Sequence, residues 1–115
     1  MTNGKKREDL VRVYESGEPL QQVVPLIKQL TESGKAIEAI KLLGELAEHH
    51  ERLLGPDHRN TLMSRYLLYS VAEAMGSKAK AVAEYRKVLV DCERALGPNH
   101  PVTHTVRDVL RLADT

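Results

Sequence analysis

A five-residue motif occurs twice in this chain of 115 residues, and the interval between its copies constrains the fold more than any other feature. The first copy is Leu54-Gly55-Pro56-Asp57-His58, and the second, 42 residues later, is Leu96-Gly97-Pro98-Asn99-His100. An interval of this size is typical of proteins that stack supersecondary units, none of which buries its apolar face alone. The motif therefore predicts a repeat protein.

Most of the remaining chain has apolar residues at the spacing of an amphipathic helix. Five segments show this spacing, and they are 19–33, 35–53, 59–75, 77–96 and 101–113. Glycines follow the first four segments, as they commonly follow helices, and Ser77 is predicted to cap the fourth. Because the connections are short, consecutive helices are expected to be antiparallel neighbours. No strand pattern competes, so the predicted class is all-α.

Two features modify this pattern near the start of the chain. Pro25 removes a backbone donor inside the segment 19–33, which predicts a kinked helix or one that effectively begins near Pro25. The stretch from Arg7 to Ser16 predicts a short leader helix that places Leu10 and Tyr14 on the following helices. The predicted organisation is a single domain over 1–115, with a tail and leader helix in 1–18, repeat 1 in 19–54, repeat 2 in 59–96 and a half repeat or cap in 101–113.

The apolar side of each predicted helix is expected to form the core. In the first two helices these residues are Leu20, Val23, Val24, Ile27, Leu30, Ile37, Ile40, Leu43, Leu46, Ala47, and Leu53 or Leu54. In the last three they are Leu62, Leu68, Val71, Ala72, Met75, Ala81, Val82, Tyr85, Val88, Leu89, Val102, Val106, Val109, Leu110 and Leu112. The acidic and basic residues between them, such as Glu38 and Lys41, are predicted to face solvent.

The charge balance and the single cysteine limit the classes of function. With 17 basic and 16 acidic residues, the net charge of +1 gives no electrostatic ground for binding nucleic acid or an anionic membrane. No apolar run reaches the roughly 18 residues of a membrane span, and no signal peptide is evident after Met1. Cys92 has no partner for an internal disulfide. These features favour a cytoplasmic location.

No arrangement of residues indicates catalysis, a cofactor or a metal. The sequence lacks a glycine-rich phosphate loop, a serine elbow and a Cys-His motif. His100 and His104 are four residues apart, as zinc ligands on one helical face can be, but no third ligand follows at suitable spacing. His58 and His100 each precede a predicted helix, so both are expected to cap free N–H groups or to pack on the linker.

The equivalent positions extend well beyond the five-residue motif. Glu51-Arg52 corresponds to Glu93-Arg94, and Thr61 corresponds to Thr103. The run from Tyr85 to Pro101 is especially similar to the tetratricopeptide repeat (TPR) in its 42-residue form, known from kinesin light chains and many actinobacterial proteins. This resemblance covers about residues 19–113. It implies an α-solenoid of antiparallel helix pairs and a non-enzymatic role in binding other proteins.

The resemblance also implies where a partner would bind. In the family, the first helix of each repeat lines a concave face. The partner-binding positions implied on that face are Val24, Lys28, Thr31, Met63, Tyr66, Ser70, Glu73, Thr105 and Asp108. The adjacent asparagines that usually hold a peptide backbone there are replaced by Tyr66-Leu67 and Asp108-Val109.

Three functional hypotheses follow. The first is a protein or peptide interaction module that acts through the concave face. The second is self-assembly as a homodimer through the terminal helices, because Val102, Val106, Val109 and Leu112 make the last helix more apolar than an end cap requires. A small enzyme or metal-binding protein is the third and has the least support.

Overall fold

A computed structural model describes residues 24–113, and this part of the chain contains five α-helices and no strand. The helices are α1 (Val24–Glu32), α2 (Ala36–Leu54), α3 (Arg59–Ala74), α4 (Lys78–Ala95) and α5 (Pro101–Ala113). The all-α prediction is confirmed. The predicted leader helix and the predicted helical residues 19–23 lie outside the described residues.

The helices form a stack in which each one packs on the next in sequence, and α3 also contacts α5. Helices α1 and α2 form the first pair, α3 and α4 form the second, and α5 follows alone. Because α3 begins the second pair and α5 begins the following half repeat, their contact makes the first helices of successive repeats neighbours. The predicted α-solenoid of helix pairs is therefore confirmed.

The two copies of the sequence motif form nearly identical turns. The residues Gly55 and Gly97 have φ angles of 90° and 94°, a region that side-chain-bearing residues rarely adopt. The carbonyl oxygen of Gly55 accepts a hydrogen bond from Thr61 Oγ1 at 2.8 Å, and that of Gly97 accepts one from Thr103 Oγ1 at 2.8 Å. Each turn is thus tied to the first turn of the helix that follows it.

The two histidines of the motif cap the following helices, as predicted. His58 Nδ1 accepts a hydrogen bond from the backbone N–H of Asn60 at 3.0 Å. His100 Nδ1 accepts one from the backbone N–H of Val102 at 3.1 Å. Each imidazole therefore satisfies one of the N–H groups that a helix start leaves without a backbone partner. Ser77 stands at the N-cap position of α4, but its side chain makes no capping hydrogen bond.

The apolar core consists of two clusters that meet at α3. The first cluster, from α1, α2 and α3, contains Ile27, Leu30, Ala39, Leu43, Leu46, Leu67 and Val71. The second, from α3, α4 and α5, contains Leu62, Ala81, Tyr85, Val88, Cys92, Val102, Val106 and Leu110. Met63 and Tyr66 pack against both clusters, so α3 joins the two halves of the molecule.

Several residues predicted to be buried are exposed instead. They are Ile37, Leu53, Leu54, Met75 and Leu112, with exposed fractions from 42% to 74%. Each one lies in the first or last turn of its helix or directly after it. The apolar stripe of a helix continues to its ends, but the neighbouring helices do not cover those ends, so the prediction fails there.

Candidate functional site

A groove of about 400 Å³ lies between α1 and α3, the first helices of the two pairs. Its lining residues are Ile27, Lys28, Thr31 and Glu32 from α1 and Leu67, Ser70, Val71 and Ala74 from α3. Along each helix, successive lining residues are one or three positions apart, so each helix contributes about two turns of one face. We call this feature the α1–α3 groove.

The floor of the α1–α3 groove is apolar. Ile27, Leu67 and Val71 are nearly buried, and the small side chain of Ala74 is exposed beside them. Thr31 does not offer its hydroxyl proton to a ligand, because Oγ1 donates to the carbonyl oxygen of Ile27 at 2.8 Å. The groove is therefore suited to an apolar side chain.

The rim of the groove has one charge of each sign. Lys28 and Glu32 lie on successive turns of α1, with 4.0 Å between the Lys28 Nζ and Glu32 Oε1 atoms. Their side chains are 74% and 68% exposed, so water screens this pair strongly. The rim can form ion pairs with a bound molecule of either charge, and it provides no acid–base pair enclosed from water.

The structure brings together some of the predicted partner-binding residues. Lys28, Thr31 and Ser70 all line the α1–α3 groove. Helix α1 begins at Val24, but the side chain of this residue is outside the part of the chain that the structure describes. Asp108 lies on α5, where it is exposed and 4.0 Å from Arg111. Asp108 does not line the groove.

Two further predicted residues are held by α4 instead. The ring of Tyr66 is tilted by 38° against that of Tyr85, with 5.7 Å between the ring centroids. The Tyr85 hydroxyl donates to Glu73 Oε1 at 2.9 Å. Burial, reinforced by this hydrogen bond to Glu73, raises the pKa of Tyr85, and burial also raises the pKa of Tyr66. Tyr66 and Glu73 therefore stabilise the junction between α3 and α4.

The groove floor contains residues that sequence analysis did not assign to a binding site. Ile27 and Val71 were predicted as core residues, Leu67 was named only as a position where the family's asparagine is replaced, and Ala74 had no predicted role. One sequence signal for the groove was available. In the 42-residue register the small residue Ala74 stands at the end of α3 where α1 has Glu32. The sequence alone does not show that these two positions lie across one groove.

A comparison with protein families decides what this stack is. The tetratricopeptide repeat family model matches residues 30–60 and 71–102, together more than half of the chain. The chain belongs to the tetratricopeptide repeat family. Repeats of this kind generally mediate protein–protein interaction. No curated protein and no solved structure matches the chain significantly.

The TPR stack has a second, polar cavity of about 540 Å³ beside the turn that contains Pro56 and Asp57. Four of the charged residues that line it are paired with one another. Arg94 donates to both carboxylate oxygens of Asp57, at 3.0 and 2.8 Å, and to Asp91 at 3.3 Å. Arg65 donates to Asp91 at 2.8 Å. These bonds lower the pKa of both aspartates, and they tie α4 to α3 and to the turn between the two repeats.

Two further reactive side chains of the TPR stack, those of His50 and Cys92, are buried. His50 Nδ1 lies 3.2 Å from Ser64 Oγ between α2 and α3, and burial lowers the pKa of this histidine to about 4. Burial raises the pKa of the Cys92 thiol to about 11. A thiol with such a pKa is a poor nucleophile at neutral pH. Within residues 24–113, no three histidine, cysteine or acidic residues are grouped so that they could hold a metal ion.

A membrane-spanning helix is also not found among the described residues, since none of these helices is both long and apolar enough.

Proposed function

We propose that this TPR protein is a non-enzymatic interaction module that binds a partner protein or peptide on its concave side, with the α1–α3 groove as the principal contact. The observation that supports this most is the apolar floor of Ile27, Leu67, Val71 and Ala74, which the first helices of both repeats form together. An apolar depression on the surface of a soluble protein often marks a binding site.

The expected occupant is a partner segment that inserts an aliphatic side chain. Burying such a side chain contributes about 1.5–3 kcal/mol. The floor residues Leu67 and Val71 also belong to the first core cluster, so the groove is preformed and loses little conformational entropy on binding. Lys28 and Glu32 on the rim would then orient the partner through ion pairs.

The wider concave surface completes the proposed contact. Beyond the groove residues Lys28 and Ser70, we include Val24, Met63, Tyr66, Glu73 and Asp108 from the three first helices. The missing asparagine pair means that the partner's backbone would not be held as in other members of the family. We further propose the 42-residue subtype known from kinesin light chains and actinobacterial proteins, and a cytoplasmic location.

The test uses a charge placed on the groove floor. We expect Ala74→Arg to abolish capture of the partner from the native host, because an arginine would fill the groove and bring a charge to its apolar floor. The matched control is Ala83→Arg, which makes the same change at an exposed position of α4. Quantitative mass spectrometry of co-purified proteins identifies the partner as the protein that only Ala74→Arg loses. Equal capture by both variants would contradict the groove assignment.

The alternative function, self-assembly as a homodimer through the terminal helices, has less support. Val102 and Val106 are buried in the second core cluster, so they are not available to another molecule. Of the apolar residues on which this hypothesis rests, Leu112 alone is highly exposed, at 74%.

A further inference from the structure

Four polar side chains lie together beside the α1–α3 groove, and we call them the Glu73 cluster. They are Tyr66, Ser70 and Glu73 from α3 and Tyr85 from α4. The Tyr85 hydroxyl donates to Glu73 Oε1 at 2.9 Å. Burial raises the pKa of both tyrosines, the charge of Glu73 raises both further, and a hydrogen bond with Ser70 acts in the opposite direction. Ser70 also lines the groove, so the cluster and the groove are adjacent.

The first repeat forms its helix pair without such a cluster. The residues 42 positions before the four members are Val24, Lys28, Thr31 and Leu43. Leu43 is as completely buried in the first core cluster as Tyr85 is in the second. Thr31 takes the place of the carboxylate and donates to a carbonyl oxygen of its own helix. The helix pair of a TPR therefore does not require the charge of Glu73.

Glu73 is also the charged concave residue that lacks an ionic partner. Lys28 lies 4.0 Å from Glu32, and Asp108 lies 4.0 Å from Arg111. Glu73 instead accepts a hydrogen bond from a neutral hydroxyl, and within residues 24–113 no basic side chain forms an ion pair with it. Its side chain is half-buried. A carboxylate accepts several hydrogen bonds, so Glu73 can still bind a donor from another molecule.

We propose that Glu73 and the ring of Tyr66 form a binding site for a lysine or arginine side chain of the partner, next to the aliphatic side chain in the groove. This inference rests on the proposed function, because it names the chemistry of the segment that the groove binds. The carboxylate forms an ion pair with the cation, and the half-buried ring attracts it through its π face. The hydrogen bond from Tyr85 holds the carboxylate in position.

The geometry also limits the spacing of the two partner residues. Each helix contributes two turns to the groove, a length of about 11 Å. An extended peptide covers this length with about three residues. Glu73 directly precedes the groove residue Ala74. The basic residue of the partner should therefore lie within about three positions of the aliphatic one.

A displayed library of random dodecapeptides tests the predicted chemistry. Peptides that bind the unaltered 115-residue chain but not Ala74→Arg are retained, because they require the groove. We expect the retained peptides to have a lysine or arginine within about three positions of an aliphatic residue. Retained peptides without basic residues, or with acidic residues in their place, would overturn the cation site but support the groove. A library from which no peptide is retained would contradict the proposed function as well.

A double-mutant cycle by calorimetry tests the residues. Exchanging the basic residue of the tightest retained peptide for norleucine should weaken binding about tenfold, and Glu73→Gln should do the same. Both changes together should cost no more than either alone, because they remove one ion pair. Losses that multiply would refute the pairing. An unchanged affinity of the norleucine peptide for the unaltered protein would refute it whatever the stability of Glu73→Gln.

The matched control for the protein variant is Glu84→Gln. Glu84 is also half-buried and also forms a hydrogen bond with a tyrosine, Tyr69, but it already has an ionic partner in Lys87 at 3.3 Å. It lies on α4, outside the groove and the Glu73 cluster. Glu84→Gln should therefore leave the affinity for the peptide unchanged, and an equal loss in both variants would count against a specific role of Glu73.

Discussion

At the scale of single residues, the buried His50 makes the stability of the protein depend on pH. Its side chain is 1% exposed between α2 and α3, and its pKa falls from 6.5 to about 4, chiefly because burial disfavours the charged imidazole. Nearby His58 and His49 add smaller effects of the same sign. The folded protein therefore binds this proton more weakly than the unfolded chain does.

This difference predicts an acid-sensitive stability. The contribution of His50 to the free energy of unfolding should be complete above pH 6.5 and should decline as the pH falls from 6.5 toward 4. The loss should be on the order of 2–3 kcal/mol at the acid end of that interval. Denaturant unfolding at several pH values measures it. His50→Gln should flatten the profile in this interval, whereas His104→Gln, a change at an exposed position of α5, should leave it unchanged.

At the scale of elements, substitution by alanine should change the stability in opposite directions at two glycines of different backbone conformation. Gly97 closes α4 with a φ of 94°, and a Cβ added there would meet no atom within 4 Å. The cost of Gly97→Ala is therefore one of backbone conformation, and we expect a loss of about 1–2 kcal/mol. Gly44 lies within α2 and also has open space around it. Gly44→Ala should stabilise the protein by about 0.5–1 kcal/mol.

Thermal or denaturant unfolding of both variants measures the two changes under the same conditions. A stabilising effect of Gly97→Ala would contradict the assigned turn conformation. A destabilising effect of Gly44→Ala would show that a methyl group at this position of α2 is not tolerated.

The helices were predictable from sequence because each one depends on local signals. The predicted segment 35–53 became Ala36–Leu54, and the final helix has the predicted bounds. The histidine caps were predictable for the same reason, since each acts on an N–H only two residues away. The burial of helix ends was not predictable, because Leu53 and Met75 continue an apolar stripe that no neighbouring helix covers.

The α1–α3 groove depends on a longer-range relation. Thr31 and Ser70 are far apart in the chain, and they line one groove because α1 and α3 lie side by side in the stack. The concave positions were predicted from the family resemblance. In the structure only some of them line the groove. Lys28 and Ser70 line it, whereas Tyr66 and Glu73 are drawn into contacts with Tyr85. Only packing distinguishes these two groups.

At the scale of the whole molecule, α5 has a different surface from α3, although both are first helices. In the repeat register, His104 replaces the buried Leu62, and Asp108 replaces Tyr66. Both replacements are exposed, whereas Leu62 and Tyr66 pack in the second core cluster. On α3 this side packs against α4. The corresponding side of α5 is polar apart from Leu112, so it does not favour stacking of another helix pair.

This surface predicts the state of association. We expect no dimer through α5 in light scattering of the 115-residue chain across a concentration series, because Leu112 is the one large apolar side chain that this helix exposes, and it provides far less apolar area than the interface of a stable dimer. Leu112→Ser should then leave the measured mass unchanged. The double variant His104→Leu, Asp108→Tyr gives α5 the residues that α3 has at the equivalent positions. It should promote self-association, because on α5 these apolar groups are exposed, whereas α3 buries them against α4. A dimer of the unaltered chain that Leu112→Ser dissociates would instead support the homodimer hypothesis and assign its interface to α5.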